Sequence, residues 1–384
     1  MVFQGDVLEW SWPAVRQFLP FDLDGLAVET GCLTRRRGVC GGEALARTLM
    51  LVGLPNTSLE RASDLALEYG LARMNSTALF KRLRGSESFL KAMFCESLKH
   101  AVDVGERWKK LRLLAVDATA LCGPGARGTN QRLHTVYDLG KGLPLSVELT
   151  GPEGGEALWR HDSFGTGDLL LCDSGYGYNT SFMWALNSGA SFLIQFNFAT
   201  VTLFDEEGQR IRAEEADSTI PASGTTERTV RMREWPHPLR AVGGRNIDGE
   251  PRWLLTDLPE KELPHSEVRG LYRRRWQVEL FFKRLKSLLD MDQLPTRDGP
   301  TARPWIWAKL LLASLAVLIG HERFSPWGPS CQPGGVQPLE GVCIRANNIA
   351  LDPPYTGSQT KKRKTKGKAK TKSVNSQTTL PLEA

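Results

Sequence analysis

The sequence predicts an α/β chain whose helical amino-terminal part leads into a core of mixed strands and helices, interrupted late by a β-rich insertion. Three observations predict it. Apolar residues recur at three and four from about Phe21 to His100, short apolar runs replace that period after position 110, and a long helical pattern returns near His265. At 384 residues there is material for two or three domains and a sizeable core. A hydrophobic content of 41% with 24% charged residues excludes a collagen-like or wholly disordered chain. The formal charge of +6 says little about the folded body. Eight basic residues lie between Lys361 and Lys372, with Glu383 the one acid after position 360, so the tail carries +7 and residues 1–360 about −1.

Seven cysteines, odd in number and without a C-x-x-C pair, exclude a secreted disulfide framework and a zinc signature; reduced thiols are expected. The start, MVFQGDVLEW, lacks the basic residues and apolar run of a signal peptide. The most apolar stretch, Leu310 to Ile319, is about half of the roughly 20 residues that a spanning helix needs. A cytoplasmic protein without a membrane partner is therefore expected.

In chain order, SLERASDLALEYGLARMNSTALFKRLRG reads as one helix ending near Gly70 and a second starting at the capping residues Asn75 or Ser76 and carrying Lys81, Arg82 and Arg84. That is either a helix-turn-helix or a helical hairpin with a solvated basic face. LRLLAV is an apolar run ending at Asp117, as in a strand buried on both faces. Strands at Arg132 to Leu139 and Leu143 to Thr150 flank Gly140-Lys141-Gly142 as a hairpin. A helix over Glu156 to Phe164, a strand DLLLCD ending at Asp173, a helix near Thr180 to Asn187 and a strand at Ser191 to Phe196 follow. Residues of about 200 to 260 are strand-like, as in VTLFDEEGQRIRA, TTERTVRMREW and PRWLLTDL. One long helix is predicted from His265 to Leu289, a core helix from Ala308 to Gly320, and disorder in the basic tail.

The chemistry concentrates on the long helix. With Glu279 at zero and about 100° per residue, Tyr272, Arg275, Lys283 and Lys286 all fall within about 40° of it, opposite the stripe Val278, Phe281, Leu285, Leu288 and Leu289. Seven basic residues face one acid between positions 269 and 289. An ordinary surface helix with solvated cations has the same look. Two further acids, Asp117 and Asp173, each close an apolar strand, where a carboxylate is costly without a partner. Three acids from separate elements suit hard divalent cations and phosphoryl transfer. GPGARG at 123–128 lacks the lysine and spacing of a phosphate-binding loop.

Tyr272, Arg275, Glu279 and Lys286 reproduce the spacing Y-x2-R-x3-E-x6-K, and LLAVDAT, RLHTVYDLGKGLPLSVELT and GDLLLCDSGYG surround the aspartates. In these motifs the chain resembles the insertion-sequence-four branch of the DDE transposases. The resemblance implies an RNase H-like catalytic core with a β-rich insertion, and Asp117, Asp173 and Glu279 as a triad holding two Mg²⁺ ions, with Mn²⁺ an acceptable substitute. It implies that Tyr272, Arg275 and Lys286 contact backbone phosphates near the cut in double-stranded DNA at the terminal inverted repeats, and that a homodimer assembles on two DNA ends; Lys283, on the same helix face, is expected to bind DNA with them. It further implies an insertion tryptophan stacked on a flipped base during hairpin formation; Trp253 is the candidate, with Trp235 behind it, against a plain packing role. The expected domains are a helical DNA-binding domain at 1–108, the core at 109–200 and 263–325, the insertion at 201–262 and the tail at 326–384. Two readings compete with an active transposase. One is a silent DNA-binding relic; the other is a Mg-dependent phosphatase, prompted by Asp117-x-Thr119 and by Asp168 with Asp173.

Overall fold

The structure, a computed structural model, describes residues 12–102, 108–235 and 237–324. The expected basic tail lies outside them. Among the described residues six helices come first: α1 (Trp12–Arg16), α2 (Leu23–Glu29), α3 (Gly42–Gly53), α4 (Leu59–Glu68), α5 (Ser76–Arg84) and α6 (Glu87–Lys99). The helix-turn-helix candidate is α4 and α5, and the Asn75 side chain caps α5 by accepting from the Ala78 N–H at 2.9 Å. Not all of its cations face solvent. Arg82 donates to the carbonyls of Cys32, Arg35 and Arg37, and so holds the loop after α2.

The core strands are β1 (Arg112–Leu121), β2 (Gln131–Asp138), β3 (Leu143–Thr150), β4 (Asp168–Cys172) and β5 (Ser191–Phe196), with α7 (Asn179–Ser188) before β5. The predicted hairpin forms, with Gly142 at φ +65° in its turn and Asp138 accepting from the Gly140 and Lys141 N–H groups. The predicted helix over 156–164 shrinks to a 3₁₀ turn, Leu158–Arg160. Glycines bound that segment on both sides, leaving too few residues to offset the cost of helix nucleation.

Next come α8 (Ala213–Ser218), β6 (Thr225–Val230), β7 (Leu239–Arg245) and β8 (Pro251–Thr256). VTLFDEEGQRIRA makes isolated bridges rather than a strand, because Asp205 folds back on Gln209 through a turn at Gly208. All eight strands form one sheet, ordered β3-β2-β1-β4-β5-β8-β7-β6. β1 with β4 and β4 with β5 pair parallel, and the rest antiparallel. The first five strands have the order of elements implied for an RNase H-like core, and β8 extends them by pairing Phe196 with Trp253.

The predicted long helix is two: α9 (His265–Arg273) and α10 (Trp276–Leu288). At the join, Arg275, Gln277 and Val278 donate to carbonyls three residues back, so the winding tightens there. The last helix, α11 (Gly299–Phe324), is twice the predicted length and contains Pro304. By length and apolarity, Gly299–His321 passes for a membrane span, but 67% of its most apolar window is buried inside the chain. It is a core helix. Gly53 of α3 lies so close to the Ala308 backbone that a Cβ there would stand 3.0 Å from its carbonyl.

Candidate active site

Asp117 does not end its strand. β1 runs on to Leu121, paired with β2 throughout, whereas the parallel pairing of β1 with β4 stops at Val116 and Cys172. The sheet forks there. Asp117 and Asp173 are the next residues on each prong, at the carboxyl ends of paired parallel strands where open sheets take their ligands. Asp173 caps the following 3₁₀ turn, Ser174–Tyr176, and accepts from the Gly175 N–H at 2.9 Å.

Helix α10 brings Glu279 to the same place. Arg275, just before its first turn, places Nη2 2.5 Å from Glu279 Oε1 and Nη1 3.5 Å from Asp117 Oδ2. Its guanidinium thus bridges two acids from distant parts of the chain. Asp117, Thr119, Glu279, Lys283, Lys286 and Asp292 line one cleft of about 500 Å³. Burial pushes the Asp117 carboxyl up to about 7; the charges of Asp173 and Glu279 add to this, against the Ala118 N–H and Arg275.

Of the residues singled out in the sequence, Asp117, Glu279, Lys283 and Lys286 share the cleft, with Arg275 between the acids and Asp173 across the fork. Tyr272 stands beside Arg275, whose guanidinium carbon is 5.6 Å from its ring centre. Its hydroxyl donates to the Cys172 carbonyl at 3.1 Å, with Gln195 Oε1 at 3.4 Å, so it ties α9 to β4 and β5 rather than offering a free donor to phosphate. Trp253 is packed into the core of the insertion. Its side chain is 2% exposed, its Nε1 donates to Asp217 at 2.8 Å, and its ring meets Phe198 edge-on and covers Gly243. Trp235 is partly buried against the same cluster.

Asp292 was missed because nothing in its local pattern sets it apart; only the turn after α10 returns it to the cleft. Asp168, which prompted the phosphatase reading, is taken up in a two-pronged pair with Arg112 at 2.8 and 2.9 Å.

Among the described residues, no three His, Cys, Asp or Glu side chains already stand close enough to hold a metal ion. The donors nevertheless fit one in kind. They are hard carboxylate oxygens that raise one another's proton affinity, and Arg275 is a stand-in cation between two of them.

Comparison with known proteins points to one family. The chain is 29% identical to the InsL protein of insertion sequence element IS186A in Escherichia coli (strain K12), over 79% of this chain and 92% of the relative. It is equally similar, with the same coverage, to the transposase for insertion sequence element IS421 of Escherichia coli. A solved structure of the piggyBac transposase synaptic complex with hairpin DNA aligns at a TM-score of 0.44 and 12% identity, over 80% of this chain and 72% of that one. Residues 108–315 match the family described as Transposase DDE domain, more than half of the chain, and the protein is therefore a member of the DDE transposases, enzymes that cut DNA and transfer the cut strands.

Proposed function

We propose that this transposase excises an insertion sequence at its terminal inverted repeats and joins the ends to target DNA, by a cut-and-paste route with a hairpin intermediate. One observation carries the reading: acids from β1, from the end of β4 and from α10 meet at the sheet fork, in and beside a cleft that also holds Lys283 and Lys286. Asp117, Asp173 and Glu279 would hold two Mg²⁺ ions, or Mn²⁺. Such ions, when bound, activate the attacking oxygen and steady the leaving one.

The chain's own groups do the rest. Lys283 and Lys286 hold backbone phosphates along the cleft, and neutralising them releases counterions. Arg275 bridges Asp117 and Glu279 until DNA arrives, then offers its guanidinium to a phosphate. Tyr272 fixes α9, the helix that leads into the Glu279 helix, against β4. The helices of residues 1–108 are the proposed end-recognition domain, residues 201–262 the insertion, and a homodimer on two ends the proposed assembly. The proposed setting is the cytoplasm, at the nucleoid.

The test is cleavage of labelled duplex carrying the element's ends. Asp117→Asn, Asp173→Asn and Glu279→Gln should each abolish Mg²⁺-dependent cleavage while gel-shift binding persists, and hairpin ends should appear on denaturing gels with the unaltered chain. Full cleavage by any of the three would remove that acid from the site.

A further inference from the structure

We propose that Glu156 is a fourth carboxylate of the metal site, facing Asp173 across Gly175 and completing an oxygen-lined position for a divalent cation. The proposal rests on the reading of Asp117, Asp173 and Glu279 as metal ligands.

Glu156 lies in the loop after β3, and its backbone is held there because the Tyr178 hydroxyl donates to its carbonyl. A Cβ built on Gly175 would stand 2.0 Å from Glu156 Oε2 and 3.1 Å from Asp173 Oδ1. The two carboxylate oxygens therefore border one point and lie at most about 5 Å apart. Only a residue without a Cβ at 175 lets the Glu156 carboxylate come this close to the backbone beside Asp173. Arg132 reaches the other oxygen of Glu156, Oε1, at 3.2 Å. Burial raises the proton affinity of Glu156, the Asp173 charge raises it further, and Arg132 opposes both.

A second, independent feature points to a ligand at this place. The Tyr176 side chain is 0% exposed and its hydroxyl has no hydrogen-bond partner, although it lies within electrostatic reach of Glu156, Asp117 and Asp173. A buried hydroxyl left without a partner calls for a polar one, such as a cation's water, that arrives with a ligand. Charge balance points the same way. The Asp117–Glu279 side of the site already contains the Arg275 guanidinium, whereas the space between Glu156 and Asp173 is bordered by negative oxygens. A hard dication with oxygen ligands suits that space. Arg132 alone does not explain the arrangement, since it engages the oxygen away from Asp173.

The test is calorimetric titration of the full chain with Mn²⁺ alone, repeated with a short duplex, with Mn²⁺ electron paramagnetic resonance as a second readout. Glu156→Gln should weaken one Mn²⁺ position at least tenfold, Glu156→Asp should recover part of the loss, and Arg132→Gln should bind Mn²⁺ at least as well as the unaltered chain. Circular dichroism establishes that each variant is folded. An unchanged isotherm in folded Glu156→Gln, or an equal loss in Arg132→Gln, would overturn the proposal. Asp173→Asn and Glu279→Gln, titrated alongside, separate the two readings. If they lose Mn²⁺ and Glu156→Gln does not, Glu156 alone is misassigned. If the unaltered chain binds no Mn²⁺, with or without DNA, or if none of these variants changes binding, the triad reading fails as well.

Discussion

Trp253 is the residue at which the resemblance and the packing part company. Its ring covers Gly243 and its indole N–H is satisfied by Asp217, so freeing it for a DNA base would open the core between β7 and β8. Trp253→Ala should cost about 3–5 kcal/mol in chemical denaturation, and Trp253→Phe clearly less. Nicking and hairpin formation should then fall together with the melting point; a stable variant defective in hairpin formation alone would restore the base-stacking role. The sequence could not decide this, because Trp253, Leu254 and Leu255 are all buried and alternation along β8 distinguishes no solvent face. Asp117 and Asp173 stood out for the opposite reason: a carboxylate next to an apolar run is conspicuous. Buried histidines supply a second prediction at this scale. Burial lowers His134 to about 3 and His161 to about 4, with the Arg160 charge adding to each. Below about 6.5 the unfolded chain binds protons that the folded chain refuses, so both residues withdraw stability as pH falls from there toward 4. His134→Gln should flatten the acid limb of a stability-versus-pH curve by up to about 1.4 kcal/mol per pH unit. An unaltered limb would mean that His134 titrates freely.

Among the elements, the Glu279 helix depends on its neighbour α11 for a fixed carboxyl end. Lys309, 1% exposed on α11, donates from Nζ to the carbonyl of Leu289, the residue that closes α10, and its ammonium lies 4.1 Å from the centre of the Trp305 ring. A cation there opposes the negative end of the helix dipole. Burial lowers Lys309 to about 8, with Asp290 and Asp292 pulling upward. Between about 8 and its ordinary value near 10.5 the unfolded chain therefore holds more protons, and this residue adds stability as pH rises through that window. Lys309→Met should remove that rise, worth about 3 kcal/mol across the window. If denaturation midpoints of the two proteins run parallel from pH 8 to 10, the assignment is wrong. This device was invisible in sequence. Pro304 reads as a stop and hides the amino-terminal turns of α11, and no spacing links position 309 to Leu289. The break between α9 and α10 was hidden too, because the helical pattern continues through 274 and 275 while the hydrogen bonds shift to the tighter spacing.

Across the whole molecule, the predicted boundary near position 108 separates chain segments but not cores. One apolar cluster runs from Val15 through the faces of α3 and α6 to Leu133 and Leu149 of the sheet, Phe281 of α10 and Trp307 of α11. The join is specific as well as apolar. Phe94 packs on Trp307 with ring centres 5.5 Å apart, Ser97 and Ser314 share a hydrogen bond at 3.0 Å, and Arg303 reaches Glu87 at 2.7 Å. Pairing of β8 with β5 likewise joins the insertion to the core sheet. Sequence periodicity reports which face of a helix is apolar but not which distant helix covers it, so these long-range unions could not be read. A fragment of residues 1–108 would expose the faces of α3 and α6 that α11 now buries, and burial of apolar surface is the main force holding such helices in place. It should show no cooperative melting alone, whereas in the full chain amide exchange should report one common opening for α3, α6, α11 and β1. Trp307→Ala should lower the stability of the amino-terminal helices and of β1 by the same amount, about 3–5 kcal/mol. A fragment that melts sharply with native helical content, or a Trp307→Ala effect confined to one side of position 108, would show two independent cores instead.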